Sequence, residues 1–331
     1  MISTKENYLM MLRGEIPEYV PSYFDPNMSV MVSENKFGTP IYAPDGPVYS
    51  PWGVKFIGSH DNNDGAIPEP NNFILTDITK WRDVIKNPDL SHVDWEHEIG
   101  QVVKDIDRNV QIVTFGGADY FQTLISFMGF TEGLIAMFEE PEEVYAMMDY
   151  ISEHNMYVME QQIRYGKPDI FMIADDCAAA RAPFFSPDMY KRLIKPFHKK
   201  HADLANENGV MLEKHDCGRC EDFIDDWIEM GIRGWNPAQT TNDLKGIKKK
   251  YLGKLALSGC WDNQGRISRP ETSDEELQEA LYEYADTFVP GGGFTFLAMV
   301  SGDREDERII RKNKLIKDFY FDYVHDYYKK H

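Results

Sequence analysis

Short apolar runs alternate with longer amphipathic stretches through most of this chain, and this alternation constrains the fold more than any other sequence feature. From about Asn109 onward the β-rich runs are Q-I-V-T-F, D-I-F-M-I, G-V-M-L-E and K-L-A-L-S. Strands that alternate with helices predict a parallel sheet. Several such units in succession indicate a closed α/β barrel, and barrels of more than 250 residues commonly form one domain. We therefore predict that residues 1–331 form a single domain.

The stretch before this alternation differs in composition. Residues 5–13 show an apolar helical period that Gly14 ends, and the following segment P-E-Y-V-P-S-Y-F is typical of a strand. Residues 25–72 are rich in proline, glycine, asparagine and aspartate. Aromatic residues such as Tyr42, Tyr49, Trp52 and Phe56 stand among them. A loop of this length is usually functional, so we predict a lid or a substrate-binding loop.

A second long amphipathic stretch carries clear boundary signals. Ser186 is a typical N-cap, Pro187 suits the first helical position, and Gly209 ends the pattern. His198 and His201 are three residues apart on this predicted helix and share a face. Because two lysines lie between them, we expect both histidines to face solvent.

Charge and cysteine content exclude several classes of function. The 35 basic and 55 acidic residues give a formal net charge of −20, which repels nucleic acids and anionic membranes. There is no run of about 18 apolar residues and no apolar signal-peptide segment at the N-terminus, so we predict a cytoplasmic protein. Four cysteines in 331 residues predict reduced thiols, not a disulfide scaffold. Neither a G-x-G-x-x-G nor a G-K-[ST] nucleotide-binding fingerprint is met.

Reactive side chains follow several of the predicted strands, where the catalytic groups of a barrel gather. They are Asp175, Asp176, His215, Cys217, Asn236, Cys260 and Asp262. Because side chains alternate along a strand, Glu213, His215 and Cys217 share one face. Zinc favours imidazole and thiolate ligands, and a catalytic zinc has three protein ligands and one open position. One interpretation is therefore a zinc site with His215 and Cys217, to which Cys260 could add the third ligand.

Other interpretations of these residues stay open from the sequence. Cys217 and Cys220 form a C-x-x-C, a spacing found in metal sites and redox pairs, although no second such pair is present. Free cysteines are also often small buried apolar residues. Asp175 and Asp176 are adjacent and face opposite sides of a strand, so at most one points into the barrel mouth.

Seven short segments occur in an order and spacing that are more specific than any segment alone. They are N-Y-L-M-M-L-R-G-E-I-P-E-Y-V-P, S-P-W-G-V-K-F, T-F-G-G-A-D, I-A-D-D-C-A, F-F-S-P-D-M-Y-K-R-L-I-K-P, K-H-D-C-G and L-S-G-C-W-D. Together they resemble the uroporphyrinogen decarboxylase superfamily and, within it, the corrinoid-dependent methyltransferases. The resemblance implies an α/β fold, a (β/α)8 TIM barrel with an N-terminal helical and loop extension.

The resemblance also implies the chemistry of the site. His215-Asp216-Cys217 stands where the methyltransferase branch has the His-x-Cys pair that holds zinc. Members that methylate coenzyme M usually have their third cysteine where this chain has Gly292, so Cys260 is the expected third ligand and Glu213 the alternative. The decarboxylase proper has an Arg-Gln-Ala-Gly-Arg stretch where this chain has F-D-P-N-M-S-V-M, which disfavours porphyrinogen decarboxylation.

The implied function is a zinc-dependent methyltransferase that moves a methyl group between a small methylated substrate and the cobalt of a corrinoid on a partner protein. The aromatic residues of the predicted lid favour an aromatic methyl ether as substrate. Predicted catalytic residues, which orient substrate or donate a proton, are Asp175, Asp176 and Asn236. Predicted substrate-binding residues are Phe24, Asp25, Phe115 and Trp235. A decarboxylase-like lyase and a non-catalytic barrel that binds a corrinoid or a partner are the alternatives.

Overall fold

Two sheets are present in the computed structural model, which describes residues 2–28, 30–32, 37–59, 65–303 and 305–331. The strands in chain order are β1 (Val30–Val32), β2 (Val48–Tyr49), β3 (Lys55–Ser59), β4 (Gly65–Pro68), β5 (Val113–Gly117), β6 (Ile170–Ala174), β7 (Met211–His215), β8 (Ile232–Ala238), β9 (Ala256–Gly259) and β10 (Phe294–Phe296). The order in the larger sheet is β1-β5-β6-β7-β8-β9-β10, and every neighbouring pair is parallel.

The parallel sheet continues at its β10 edge into the segment that precedes β1. Ser22 pairs in parallel with Phe296, so the predicted strand P-E-Y-V-P-S-Y-F supplies an eighth parallel position. Parallel strands in chain order with helices between them form the predicted TIM barrel. Strand registers pair Ala174 with His215 and His215 with Asn236. Asn236 of β8 therefore lies level with the last residues of β6 and β7.

Helices cover the outside of the sheet and, through α1, one end of it. They are α1 (Thr4–Leu12), α2 (Trp81–Val84), α3 (Trp95–Val103), α4 (Tyr120–Met128), α5 (Phe130–Glu139), α6 (Pro141–Gln161), α7 (Pro187–Leu193), α8 (Lys195–Glu207), α9 (Ile224–Met230), α10 (Leu244–Tyr251), α11 (Asp274–Phe288), α12 (Glu307–Phe319) and α13 (Tyr327–Lys330). Within the described ranges, no single helix is long and apolar enough to span a membrane; α4 and α5 qualify only as a pair, and they are bent by 111°.

The stretch predicted as one helix after Ser186 forms two. Ser186 is the N-cap of α7 and accepts a hydrogen bond from the backbone N–H of Met189 at 3.2 Å, as predicted. The first helix ends at Leu193, and α8 begins at Lys195. Pro196 explains the break, because a proline has no N–H to donate to the preceding turn and its ring clashes there.

The N-terminal extension closes one end of the barrel and covers the other. In α1, Tyr8, Met11 and Leu12 pack with Ile112 and Ile170, which lie at the amino ends of β5 and β6. At the carboxyl ends, the predicted loop contains the antiparallel sheet β2-β3-β4. The part of the predicted loop 25–72 that holds this small sheet, called the cover below, is therefore a folded layer and not a structureless loop. Phe56 of β3 is buried in the core.

Candidate metal centre

His215 ends β7 and is oriented by the neighbouring strand. Its Nδ1 lies 2.9 Å from Oδ1 of Asn236 in β8. An amide oxygen only accepts hydrogen bonds, so Nδ1 carries the proton and Nε2 presents a lone pair. The register between β7 and β8 thus fixes the tautomer that a metal ligand needs.

Three potential ligand atoms meet around this Nε2. Those of Asp176, His215 and Cys217 all lie within 4.8 Å of one another. From Nε2 of His215, Sγ of Cys217 is 3.8 Å away and Oδ1 of Asp176 is 3.9 Å away. Ligand atoms around a tetrahedral zinc are about 3.3–3.6 Å apart by its bond lengths. The two distances from Nε2 would need to shorten by only a few tenths of an ångström to match zinc.

The loop after β7 is held in place by hydrogen bonds from its backbone. The N–H of Cys217 donates to Oδ1 of Asp176 at 2.8 Å, and the N–H of Gly218 donates to Oε1 of Gln239 at 2.7 Å. Gly218 has φ +89, and a Cβ there would lie 2.5 Å from the carbonyl oxygen of Ala178. Only glycine fits this position, so the K-H-D-C-G segment turns tightly under the β6 loop.

The electrostatics of the group favour a bound cation. Burial and the nearby carboxylates of Asp176 and Asp216 raise the pKa of the Cys217 thiol to about 12. Without added positive charge the thiol keeps its proton at neutral pH. The side chains of His215 and Asp176 are each 37% exposed, so an ion from solvent can reach them.

The two residues expected as third ligand do not join this group, and Asp176 does. Among the described residues, Asp176, His215 and Cys217 are the cluster whose ligand atoms come this close. Glu213 lies one layer deeper on the same strand face, where its carboxylate accepts a hydrogen bond from the Tyr8 hydroxyl at 2.5 Å. Cys260 is buried, and the charged group acting on its thiol is Lys248 of α10. The alternation of side chains along the strand predicted the face of Glu213 correctly. It did not predict that Glu213 lies too far from the barrel mouth to reach the other ligand atoms.

Cys220 does not complete a metal-binding or redox pair with Cys217. Its thiol is buried and lies 3.1 Å from the carbonyl oxygen of Cys217 and 3.3 Å from Oδ1 of Asp216. It packs beneath the loop as a small weakly polar side chain.

The carboxylate of Asp175 points away from the metal group and has its hydrogen bonds filled. Its two oxygens accept from the backbone N–H groups of Phe121 and Gln122, each at 3.0 Å, and from Nε2 of His198 at 3.1 Å. Its predicted catalytic role is not supported by this geometry. It caps α4, and the catalytic candidate of the pair is Asp176.

The expectation that His198 and His201 face solvent is wrong. Both are almost fully buried, because this face of α8 packs on the barrel. Nε2 of His198 donates to Asp175, and its Nδ1 accepts from the Tyr190 hydroxyl at 3.1 Å. Burial lowers the pKa of both imidazoles, that of His201 to about 3.

A cavity of about 640 Å3 lies between the barrel mouth and the small sheet. Asp176 and His215 form part of its wall. Much of the apolar surface comes from residues 38–41, 66–68 and 70 of the cover and from Phe56, Phe73 and Phe130. The predicted cover therefore lines the space next to the metal group.

The four predicted substrate-binding residues are not in this wall. Phe115 is fully buried, and its ring lies against Gly166 after α6. Trp235 is fully buried and donates to the carbonyl oxygen of Asp216. Phe24 packs on Phe296 and Tyr320. Asp25 accepts from Thr4 at 2.6 Å. Their side chains face the helix layer or the N-terminal segment, so this geometry does not support a role in substrate binding, which stays a prediction.

Asp119 lines the cavity and is absent from the sequence predictions. It follows β5 in the segment T-F-G-G-A-D, and burial raises the pKa of its carboxyl to about 7. An acidic residue directly after a predicted strand was the signal that could have identified it.

Comparisons with known proteins agree with this fold. The structure of a methyltransferase from Methanosarcina mazei is similar with a TM-score of 0.62 at 14% identity, covering 97% of this chain and 100% of that one; at this identity the likeness concerns the fold alone. Uroporphyrinogen decarboxylase of Geobacillus kaustophilus (strain HTA426) is 25% identical over 193 residues, about half the length of each protein (52% of this chain, 54% of that one). The family model of uroporphyrinogen decarboxylase (URO-D) matches residues 60–295. Since that match covers more than half of the chain and includes the metal group, this protein belongs to the uroporphyrinogen decarboxylase family.

Proposed function

We propose that this protein is a zinc-dependent methyltransferase that transfers a methyl group between a small methylated substrate and the cobalt of a corrinoid held by a separate partner protein. The observation that carries the proposal is the Asp176, His215 and Cys217 group in contact with the cavity. Imidazole, thiolate and carboxylate are ligands of catalytic zinc, and three of them leave one position open for substrate. Likeness in fold to a methyltransferase supports the same class.

An aromatic methyl ether fits the cavity better than a very small donor does. A space of about 640 Å3 with several phenylalanine and proline residues in its wall would leave a methylamine or methanol largely without contacts. Ligand sites bury most of their ligand against apolar surface. A ring with a methoxy group provides that surface.

Each residue at the site has a defined task. Zinc, when bound, supplies a Lewis acid beside the methylated oxygen. Asn236 holds His215 in the tautomer with a free Nε2. Asp176 both offers a ligand oxygen and fixes the loop through the N–H of Cys217. The cover keeps water from the methyl group during transfer.

The competing function is a metal-free decarboxylase, which the similarity to uroporphyrinogen decarboxylase suggests. A tetrapyrrole with several carboxylates needs cationic partners in the cavity. None of the described residues in the cavity wall is an arginine or a lysine. This observation favours the methyltransferase.

Metal analysis combined with a methylation assay tests the proposal. The purified protein should contain about one zinc per chain by the ligand count and should methylate cob(I)alamin from an aromatic methyl ether, seen as a change in the cobalamin spectrum. Cys217→Ser should lose both zinc and methyl transfer, whereas Cys220→Ser, the matched control three positions after Cys217 and outside the ligand group, should keep them. Full activity in a metal-free protein would refute the proposal.

A further inference from the structure

Asp119 occupies the N-cap position of α4 but does not cap the helix. Its carboxylate makes no hydrogen bond to the helix N-terminus, although an aspartate here normally accepts from the second or third helical N–H. Asp175, from the neighbouring strand, takes both of these groups, the N–H of Phe121 and that of Gln122. The carboxyl of Asp119 is therefore free to face the cavity.

The backbone before Asp119 is held in an unusual conformation. Ala118 has φ +69, a left-handed region that non-glycine residues seldom adopt and that often accompanies a functional site. The Asp119 carboxyl then lies near Thr39 of the cover, and both residues line the cavity. Asp119 thus places a carboxyl between the cover and the barrel mouth, in a mostly apolar part of the wall.

The wall carries acidic groups without described cationic partners. Asp119, Asp175 and Asp176 all line it, and lysine and arginine are absent from its described residues. The carboxylate of Asp175 already accepts three hydrogen bonds, and Asp176 belongs to the metal group. Asp119 is therefore the acidic residue of the wall that can hydrogen-bond a ligand. A carboxylate on the ligand would lie near the carboxyl groups of Asp119 and Asp175, and the charge of a bound zinc would already be balanced by Asp176 and the Cys217 thiolate, so its burial would be costly.

We propose that the cavity selects an uncharged methoxyarene that carries a free hydroxyl group, that Asp119 hydrogen-bonds this hydroxyl, and that the cavity rejects analogues with a carboxylate. That the bound molecule is a methyl ether rests on the proposed function, whereas the selection for an uncharged hydroxyl rests on the wall and on Asp119. Because burial raises the pKa of Asp119 to about 7, its carboxyl can either donate to a hydroxyl or accept from it near neutral pH.

Calorimetric binding to the full-length, zinc-loaded protein at pH 7 tests this selectivity with three probes. They are 2-methoxyphenol, 1,2-dimethoxybenzene, which lacks the hydroxyl, and 4-hydroxy-3-methoxybenzoate, which adds a carboxylate. We expect 2-methoxyphenol to bind at least about tenfold more tightly than either analogue, since a missing hydrogen-bond partner or an unpaired charge costs at least this much. Equal or tighter binding of the benzoate, or no binding of 2-methoxyphenol, would overturn the proposal.

Variants separate the role of Asp119 from that of the cavity as a whole. Asp119→Ala should lower the affinity for 2-methoxyphenol about tenfold and the affinity for 1,2-dimethoxybenzene less than about twofold. Asp203→Asn, on the exposed face of α8, is the control. Equal weakening of both probes would overturn the assignment, and Asp119→Asn provides a second variant if the alanine protein does not fold. Selective binding without methyl transfer to cob(I)alamin would refute the proposed function and support the selectivity. Methyl transfer from the benzoate as efficient as from 2-methoxyphenol would support the proposed function and refute the selectivity.

Discussion

His215 and Asn236 lie side by side at the ends of adjacent strands, with 2.9 Å between Nδ1 and Oδ1. The amide nitrogen of Asn236 faces Sδ of Met172 at 3.6 Å, which is consistent with its oxygen facing the imidazole. The pair therefore determines the direction of the free Nε2 lone pair. A group that orients a ligand commonly affects metal affinity nearly as much as the ligand does.

Asn236→Ala should lower the affinity for zinc about 10- to 100-fold while the protein remains folded. The reason is that the imidazole loses the acceptor that selects its tautomer. Competition with a chelator of known zinc affinity measures the change. Asn109→Ala, in an exposed turn, is the matched control; equal zinc affinity in the two variants would contradict the assignment.

Asp176→Ala and Cys260→Ser distinguish the two possible third ligands. Asp176→Ala should lose zinc on dialysis against a weak chelator, because it removes a ligand and the acceptor for the N–H of Cys217. Cys260→Ser should retain about one zinc per chain, because its thiol lies outside the ligand group. Zinc content by atomic spectroscopy decides, and the opposite pattern would restore Cys260 as a ligand.

Zinc affinity should rise with pH. The pKa of the Cys217 thiol is raised to about 12 in the metal-free site, so binding must displace its proton. One displaced proton makes the apparent affinity increase about tenfold per pH unit between pH 7 and 9. Calorimetry in buffers of different ionisation enthalpy counts the protons released. A pH-independent affinity would mean that Cys217 is not a ligand.

Asp175→Asn should destabilise the protein without removing zinc. In the variant, an NH2 group takes the place of one carboxylate oxygen, which accepts from a backbone N–H or from His198. A buried N–H donor would then face another donor. We expect a loss of about 3 kcal/mol in the free energy of unfolding, measured by urea denaturation. Asp176→Asn, which is partly exposed, should change this free energy much less. If Asp175→Asn unfolds like the wild type, the capping role is wrong.

Glu213→Gln should alter how stability depends on pH. Burial raises the pKa of Glu213 from 4.5 to about 7, so the folded protein holds a proton that the unfolded chain releases. This stabilisation is complete below pH 4.5 and is lost as the pH rises through 7, by about 3 kcal/mol.

The amide of Glu213→Gln can still accept from the Tyr8 hydroxyl but does not titrate, so the variant should lose less free energy of unfolding between pH 5 and 7. Urea denaturation with a chelator present at each pH measures this difference without a contribution from metal release. Parallel pH curves for the wild type and the variant would contradict the prediction.

The barrel could be predicted because its strands are buried on both sides and stand out as short apolar runs between amphipathic helices. The shared face of His215 and Cys217 followed from strand parity. The contact with Asp176 could not be predicted, since it depends on the register that pairs Ala174 with His215. Nor does parity tell which of two adjacent aspartates faces the mouth until the end of β6 is known.

The helix-facing positions of Phe115 and Trp235 show another limit. Both belong to strands that are buried on two sides, where an aromatic residue fits the outer layer as well as the inner one. The small sheet in the cover was also missed, because β2, β3 and β4 are two to five residues long and lie among turn-forming residues.

Because Asp175 caps α4, the chain separates the residue that keeps the helix in place from Asp119, the residue proposed to bind the ligand. Under the proposed selectivity, a substitution at Asp119 would change what the cavity accepts without removing a hydrogen bond from the helix N-terminus. Substrate preference can therefore drift, or be redesigned, at this one position while the scaffold stays intact. The equivalent change at Asp175 would alter the scaffold first.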